Sequence, residues 1–170
     1  LLIFLFFSFF LNANTFEKTN SIYLIRHALA PGNGDPDNFD LSDCSTQRNL
    51  NATGILQSFK IGQFFIDNEI VIDNVYSSQW CRCKDTASFA FMDYEELSYL
   101  NSFYSQPFIL NKNVQMKDLK KFIFNLKSTN NVVFVTHYVV IAELINYFPE
   151  SGEIIEIDKN INILNTFKIK

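Results

Sequence analysis

Asn131-Val-Val-Phe-Val-Thr136 is an unbroken, almost wholly apolar run that stops at His137, with a helical pattern on either side of it. It has the length of a strand, is rich in β-branched residues, and lacks the alternating polar face of a half-exposed strand. Before it, Val114, Leu119, Phe122, Ile123 and Leu126 recur at helical spacing. After it, Tyr138 to Phe148 reads as a helix stopped by Pro149. A strand covered on both faces and set between helices requires an α/β architecture: a mostly parallel central sheet flanked by helices, in three layers.

The remaining segments repeat the pattern. Ser21 to Ile25 is a second buried strand, ending at Arg26-His27. Pro31-Gly32-Asn33-Gly34-Asp35-Pro36 then opens a loop that runs to about Asn51. Ile55, Leu56, Phe59, Phe64 and Phe65 predict a helix from Thr53 to Asn68, with Asn51 or Thr53 near its cap. Val75-Tyr76-Ser77 reads as a strand and Trp80 to Met92 as a helix. Asp93 to Lys112 is irregular, or holds a short strand at Phe108 to Leu110, and strands near Ile154–Ile157 and Ile161–Phe167 close the chain. No repeat or long linker divides these elements, and 170 residues suit one core.

Leu1 to Leu11 stands apart: LLIFLFFSFFL, followed by Asn12-Ala13-Asn14-Thr15. It is too short for a bilayer, which takes roughly 20 residues. It matches the apolar region of a secretory signal with cleavage near Ala13 or Asn14, although no charged segment or initiator Met precedes it. The expectation is an exported, periplasmic protein in which the segment is either cleaved or kept as an anchor, with no stable membrane span after signal removal. In such a compartment Cys44, Cys81 and Cys83 permit one disulfide, Cys44 to Cys81 or Cys83, or else remain three buried thiols. A Cys-x-Cys pair plus one distant Cys lacks the ligand spacing of a zinc site.

A net charge of −4 excludes broad phosphate neutralisation of the kind that binds nucleic acid, but not a local anion site. The scarce residues mark where such a site lies. Only three of the 14 cations are Arg (Arg26, Arg48, Arg82), there are two His (His27, His137), and four of these five residues, both His with Arg26 and Arg82, fall at successive strand-helix junctions. Ligand sites in open α/β sheets form outside the carboxyl ends of the strands. There, Ile25-Arg26-His27, Ser77-Ser78-Gln79-Trp80-Cys81-Arg82 and Val135-Thr136-His137 would bring two imidazoles and two guanidiniums together, beside the N-termini of the helices near Trp80 and Tyr138. Guanidiniums grip phosphate oxygens in pairs, and their charge keeps a neighbouring imidazole unprotonated and nucleophilic.

Leu24-Ile25-Arg26-His27-Ala28 resembles the Arg-His-Gly signature of the histidine phosphatase (phosphoglycerate mutase-like) superfamily. Arg48-Asn49-Leu50-Asn51-Ala52-Thr53-Gly54-Ile55-Leu56-Gln57 is similar to its Leu-x-x-x-Gly-x-x-Gln segment at the start of a helix. Val75-Tyr76-Ser77-Ser78 with Arg82 and Asp85-Thr86-Ala87 resembles its second Arg motif, and Val133-Phe134-Val135-Thr136-His137 its second His motif. The order holds from Ile22 to Phe148. The resemblance implies a phosphoglycerate mutase-like fold over residues 20–170; residues 1–14, by their own apolar pattern, stand apart as a signal peptide or N-terminal apolar segment. It implies catalytic His27 and His137, with His27 the phosphorylated nucleophile, and phosphate binding by Arg26 and Arg82. It implies no metal and no organic cofactor. Arg48 is weighted as structural, neutralising Asp43 or lining the rim, and Thr86 as a helix residue satisfying local backbone.

Three positions depart from the pattern. Ala28 stands where the family has Gly, Leu100-Asn101-Ser102-Phe103 lacks the family's Glu general acid, and Tyr138 follows the second His in place of a carboxylate. Asp35, Asp37, Asp43, Glu95 and Glu96 remain as loop carboxylates for proton donation; without one, the site suits good leaving groups such as phosphoramidates or acyl phosphates. No long insertion supplies a lid, so an open site fits a bulky phosphorylated protein, lipid or cell-envelope sugar. The expected function is a phosphomonoesterase working through phospho-His27. The alternatives are a catalytically weak phosphate- or phospholigand-binding module and, behind it, a phosphotransferase or mutase.

Overall fold

The computed structural model describes residues 20–170; the expectations for the apolar leader fall outside them. Six strands form one sheet: β1 (Ile22–Arg26), β2 (Ile72–Ser77), β3 (Glu95–Glu96), β4 (Asn131–Thr136), β5 (Ile154–Ile157) and β6 (Ile163–Phe167). Their spatial order is β3-β2-β4-β1-β5-β6. The first four are mutually parallel, and β5 runs antiparallel to both β1 and β6. Four helices flank them: α1 (Ala52–Asp67), α2 (Cys81–Phe91), α3 (Lys112–Asn125) and α4 (Tyr138–Ile145). None of these helices is long and apolar enough to cross a membrane.

Strand alternation sorts the core into two layers. Ile22 and Leu24 of β1 and Val132 and Phe134 of β4 pack with Leu119 and Ile123 of α3 and Ile141 of α4. The intervening Tyr23, Ile25, Val133 and Val135 pack with Ile61 and Phe65 of α1 and Cys83 and Ala87 of α2. The sheet is therefore covered on both faces, which is why β4 carries no polar alternation: all six of its residues are buried.

Several boundaries differ from the sequence reading. Phe108 to Asn111 forms a 3-10 turn leading into α3 rather than a strand. Phe108 packs edge-on to Trp80, whereas Ile109 and Leu110 are exposed, so this apolar triplet has no sheet face to fill. The helix α4 stops at Ile145 because Asn146 takes the left-handed conformation, φ 51°, and returns its amide to the Ala142 carbonyl. The last strand begins at Ile163 because Asp158 binds the amides of Asn160 and Asn162 and makes a turn there.

Pair register is what positions the functional residues. Arg26 lies opposite Thr136, and Ser77 opposite Val135, so β1, β2 and β4 end at nearly one level. His27, Ser78 and His137 each leave the sheet one residue later. Their order is pinned by His27 N–H to the Thr136 carbonyl at 2.9 Å and Ser78 N–H to the Val135 carbonyl at 3.0 Å.

Candidate active site

Beyond these strand ends lies a cavity of about 260 Å³, whose lining includes Arg26, His27, Arg48, Arg82, His137 and Tyr138. The two imidazoles stand edge to face, centroids 5.4 Å apart. Both are buried, and burial holds each well below the ordinary imidazole pKa, with the Arg82 charge acting in the same direction. His27 Nδ1 lies 2.8 Å from the Ala28 carbonyl. A carbonyl only accepts, so in the neutral ring Nδ1 carries the proton and Nε2 keeps its lone pair. His137 is fixed from the other side: its Nε2 is 2.8 Å from Ser78 Oγ and 3.4 Å from the Cys83 sulfur.

The segment after His27 is held by the residues of the second motif. Thr86 Oγ1 accepts the Ala28 amide at 3.0 Å and donates to the Arg82 carbonyl at 2.7 Å, so it joins the loop after His27 to α2. Gln57 accepts from the Leu29 amide at 3.0 Å and donates to the Ser151 carbonyl at 2.9 Å, which links that loop to the turn before β5.

The three guanidiniums differ in attachment. Arg26 donates from Nη1 to the Pro149 carbonyl at 2.9 Å and lies 5.5 Å over the Tyr138 ring, while its buried Nε has no partner among the described residues. Arg82 is 3% exposed and bound to Asp35 through Nη1 at 2.6 Å and Nη2 at 3.2 Å. Arg48, weighted by sequence as structural, lines the cavity, and it also holds the loop by donating to the Gly34 carbonyl at 2.8 Å and to the Ala30 carbonyl. It does not neutralise Asp43, which caps the 3-10 turn at Cys44–Thr46.

The helix N-termini divide. No side chain caps α4, whose Tyr138 and Val139 border the cavity, but the first amide of α2 is taken by Gln47 Oε1 at 2.9 Å. Cys44 and Cys81 form the disulfide and Cys83 remains a buried thiol.

Of the five loop carboxylates, only Asp35 lines the cavity. Asp43 is a cap, Glu96 pairs with Lys84 at 3.3 Å, and Glu95 borders a separate hollow with Asp73 and Asp93. Asn101, in the Leu100–Phe103 segment where no Glu stands, accepts from the Gln79 amide at 2.9 Å and from Ser78 at 3.1 Å. It braces the β2–α2 turn instead of presenting a proton. Among the described residues no cluster of His, Cys, Asp or Glu is arranged to hold a metal.

Sequence reasoning missed the partners of His137 and the wall. Ser78 and Cys83 lie at its imidazole, and Trp80 borders the cavity. Trp80 was legible as the single Trp of the chain, immediately before the Cys-Arg pair. Ser78 was legible as part of the Val75–Ser78 motif but not as a partner of His137, and Cys83 carried no signal beyond proximity to Arg82.

By sequence the chain matches no protein family and no curated protein. By structure it superposes on the protein histidine phosphatase SixA complexed with tungstate, with TM-score 0.58 and 16% identity over 86% of this chain and 95% of that one. It also superposes on phosphoglycerate mutase from Thermus thermophilus, with TM-score 0.62 and 16% identity over 88% and 99%. The fold is phosphoglycerate mutase-like. A third structure with it, an open reading frame product of Mycobacterium tuberculosis, gives TM-score 0.62 and 18% identity over 81% and 90%. In this phosphoglycerate mutase-like sheet, the Arg-His pair and the second His sit at the ends of the two adjacent central strands β1 and β4.

Proposed function

We infer that the chain is a member of the histidine phosphatase superfamily and a phosphomonoesterase acting through a phosphohistidine on His27. The carrying observation is the His27 ring: neutral by burial, its Nδ1 proton committed to the Ala28 carbonyl, its Nε2 unprotonated in a cavity lined by three guanidiniums. In the first step Nε2 attacks phosphorus and the phosphorus–oxygen bond to the leaving group breaks. Arg26, Arg82 and His137 take up the charge on the transferring oxygens. The Ser78 contact at Nε2 fixes the orientation of the His137 ring beside His27. Water then attacks phosphorus, the nitrogen–phosphorus bond breaks, and inorganic phosphate leaves carrying the protons of water.

The leaving group draws its proton from solvent in this scheme, because the one carboxylate of the cavity wall is bound to Arg82. The site therefore favours phosphoramidates, acyl phosphates and aryl phosphates over alkyl phosphates. The apolar leader extends the reading to an exported, periplasmic enzyme, and a pocket without a long insertion over it suits a bulky phosphorylated substrate.

The test is turnover of an aryl phosphate, an alkyl phosphate and a phosphoramidate by the wild type and His27→Ala, with and without chelator, plus acid-quench detection of base-stable phosphoprotein. Chelator-resistant turnover that falls at least 1000-fold in His27→Ala, with phosphoprotein only in the wild type, is expected. Full activity in His27→Ala sinks the mechanism. Tight phosphate binding without turnover moves the assignment to a phospholigand-binding module.

A further inference from the structure

Both oxygens of Asp35 are fully used. Oδ1 accepts from Arg82 Nη1 at 2.6 Å and from the Arg48 amide at 3.1 Å; Oδ2 accepts from Arg82 Nη2 at 3.2 Å and from Trp80 Nε1 at 3.0 Å. Burial pushes this carboxyl upward, but the Arg82 bonds and charge, with the Arg48 and Trp80 donors, hold it below its ordinary range. A group held by four donors is an anchor.

Arg82 shows what is anchored. Of its five N–H groups, one on Nη1 and one on Nη2 go to Asp35, and the second on Nη1 reaches the Arg48 carbonyl at 3.2 Å. The N–H of Nε and the second of Nη2 remain, and these two lie on the same edge of the guanidinium. Nε is buried and has no partner among the described residues. Such an edge matches two oxygens of a tetrahedral oxyanion.

We propose that Asp35 is a positioning residue: it holds Arg82 end-on so that the free Nε/Nη2 edge grips the phosphoryl group transferred to His27. This rests on the phosphoryl reading of the cavity. A long side chain fixed beforehand loses little rotamer freedom when the ligand arrives, which raises affinity without a new contact. Arg48 completes the device by pinning the Gly34 carbonyl at 2.8 Å, next to Asp35 in the chain.

The opposite expectation follows from charge alone. Removing an anion from an anion site strengthens binding by Coulomb's law, and the same is expected if Asp35 competes with phosphate. The experiment titrates inorganic phosphate into the wild type, Asp35→Asn and Trp80→Phe, by calorimetry and by proton–nitrogen spectra of the arginine Nε–H groups. The chain has three Arg, and Arg82→Lys assigns the relevant peak by deletion. Phosphate is expected to move the Arg82 peak of the wild type. Asp35→Asn is expected to bind phosphate about tenfold more weakly and to lose that shift, since a lost charged hydrogen-bond pair is worth at least a factor of 10. Trp80→Phe removes one donor to Asp35, leaves the charge unchanged and is expected to fall between them; it carries the test if Asp35→Asn does not fold. Binding by Asp35→Asn as tight as or tighter than wild type overturns the inference. A wild type that binds no phosphate overturns the phosphoryl reading beneath it, and is distinguished by that.

Discussion

Gly54, in the first turn of α1, lies directly beneath the Leu29 carbonyl: a Cβ there would stand 2.1 Å from that oxygen. The Leu29 amide is bonded to Gln57 one turn further along the same helix, at 3.0 Å. One helix end thus supports the chain two residues past His27, by close approach at one position and a hydrogen bond at the next turn. That is the physical content of the Gly-x-x-Gln spacing, and it joins the helix to the His27 segment without either residue touching the imidazole.

Gly54→Ala tests this support. Alanine gains about 1 kcal/mol in helix propensity, but the atom it would strike is backbone, which cannot swing aside, and forced overpacking costs about 1–3 kcal/mol. An approach of 2.1 Å to backbone belongs at the upper end of that range, so the net loss is about 1–2 kcal/mol. The melting temperature is expected to fall by roughly 2–8 °C, at 2–4 °C per kcal/mol for a chain of this size, with reduced turnover. An unchanged or raised melting temperature shows that the loop yields freely and that Gly54 is not its support.

His27 and His137 give stability a pH dependence of definite sign. Both are held well below the ordinary imidazole pKa, burial being the largest cause. Below about pH 6.5 the unfolded chain takes up protons that the folded site refuses. Stability is therefore complete above that pH and declines as pH falls towards the depressed folded values, by up to about 1.4 kcal/mol per unit for each ring. Melting curves at pH 7.5 and 5.5 should show the decline, and the His27→Gln, His137→Gln double variant should show less of it. An equal decline in the double variant would place its origin elsewhere.

The fold was legible where one segment carried the whole signal. Val132 to Val135 is apolar because both faces of β4 are covered, and His137 follows because strands end where the sheet meets solvent. The meeting of Arg26, His27 and His137 was legible only as a consequence of parallel neighbours; the register that makes it true is a long-range property. Asp35 was one of five equivalent loop carboxylates by sequence. Its selection depends on Arg48 and Trp80 reaching it from 13 and 45 residues away, which no local pattern encodes. The cysteine alternatives stayed open for the same reason.

Cys83 is expected to be inert in the native protein. Burial pushes its thiol up to about 12, against the downward pull of the Arg82 charge, and the thiolate is the reactive form. An aromatic disulfide reagent at pH 7.5 should find no thiol before unfolding and one per chain after it, under non-reducing conditions. Rapid labelling of the folded protein would show that solvent reaches the sulfur beside His137.

The Cys44–Cys81 bridge should matter more to stability than any single hydrogen bond of the site. It closes a segment of 37 residues, and a loop of that length restricts the unfolded chain by about 4 kcal/mol. Its position adds to this, because Cys81 adjoins Arg82 and Cys44 begins the 3-10 turn before Gln47, whose side chain caps the Cys81 amide. Cys44→Ser with Cys81→Ser, or reduction of the wild type, is expected to lower the melting temperature by roughly 8–16 °C. Phosphate should restore part of the loss in proportion to its occupancy, since a ligand bound only by the folded state adds stability. A fall under about 3 °C would mean that the unfolded chain keeps this loop closed without the bridge, so that the covalent link restrains almost nothing.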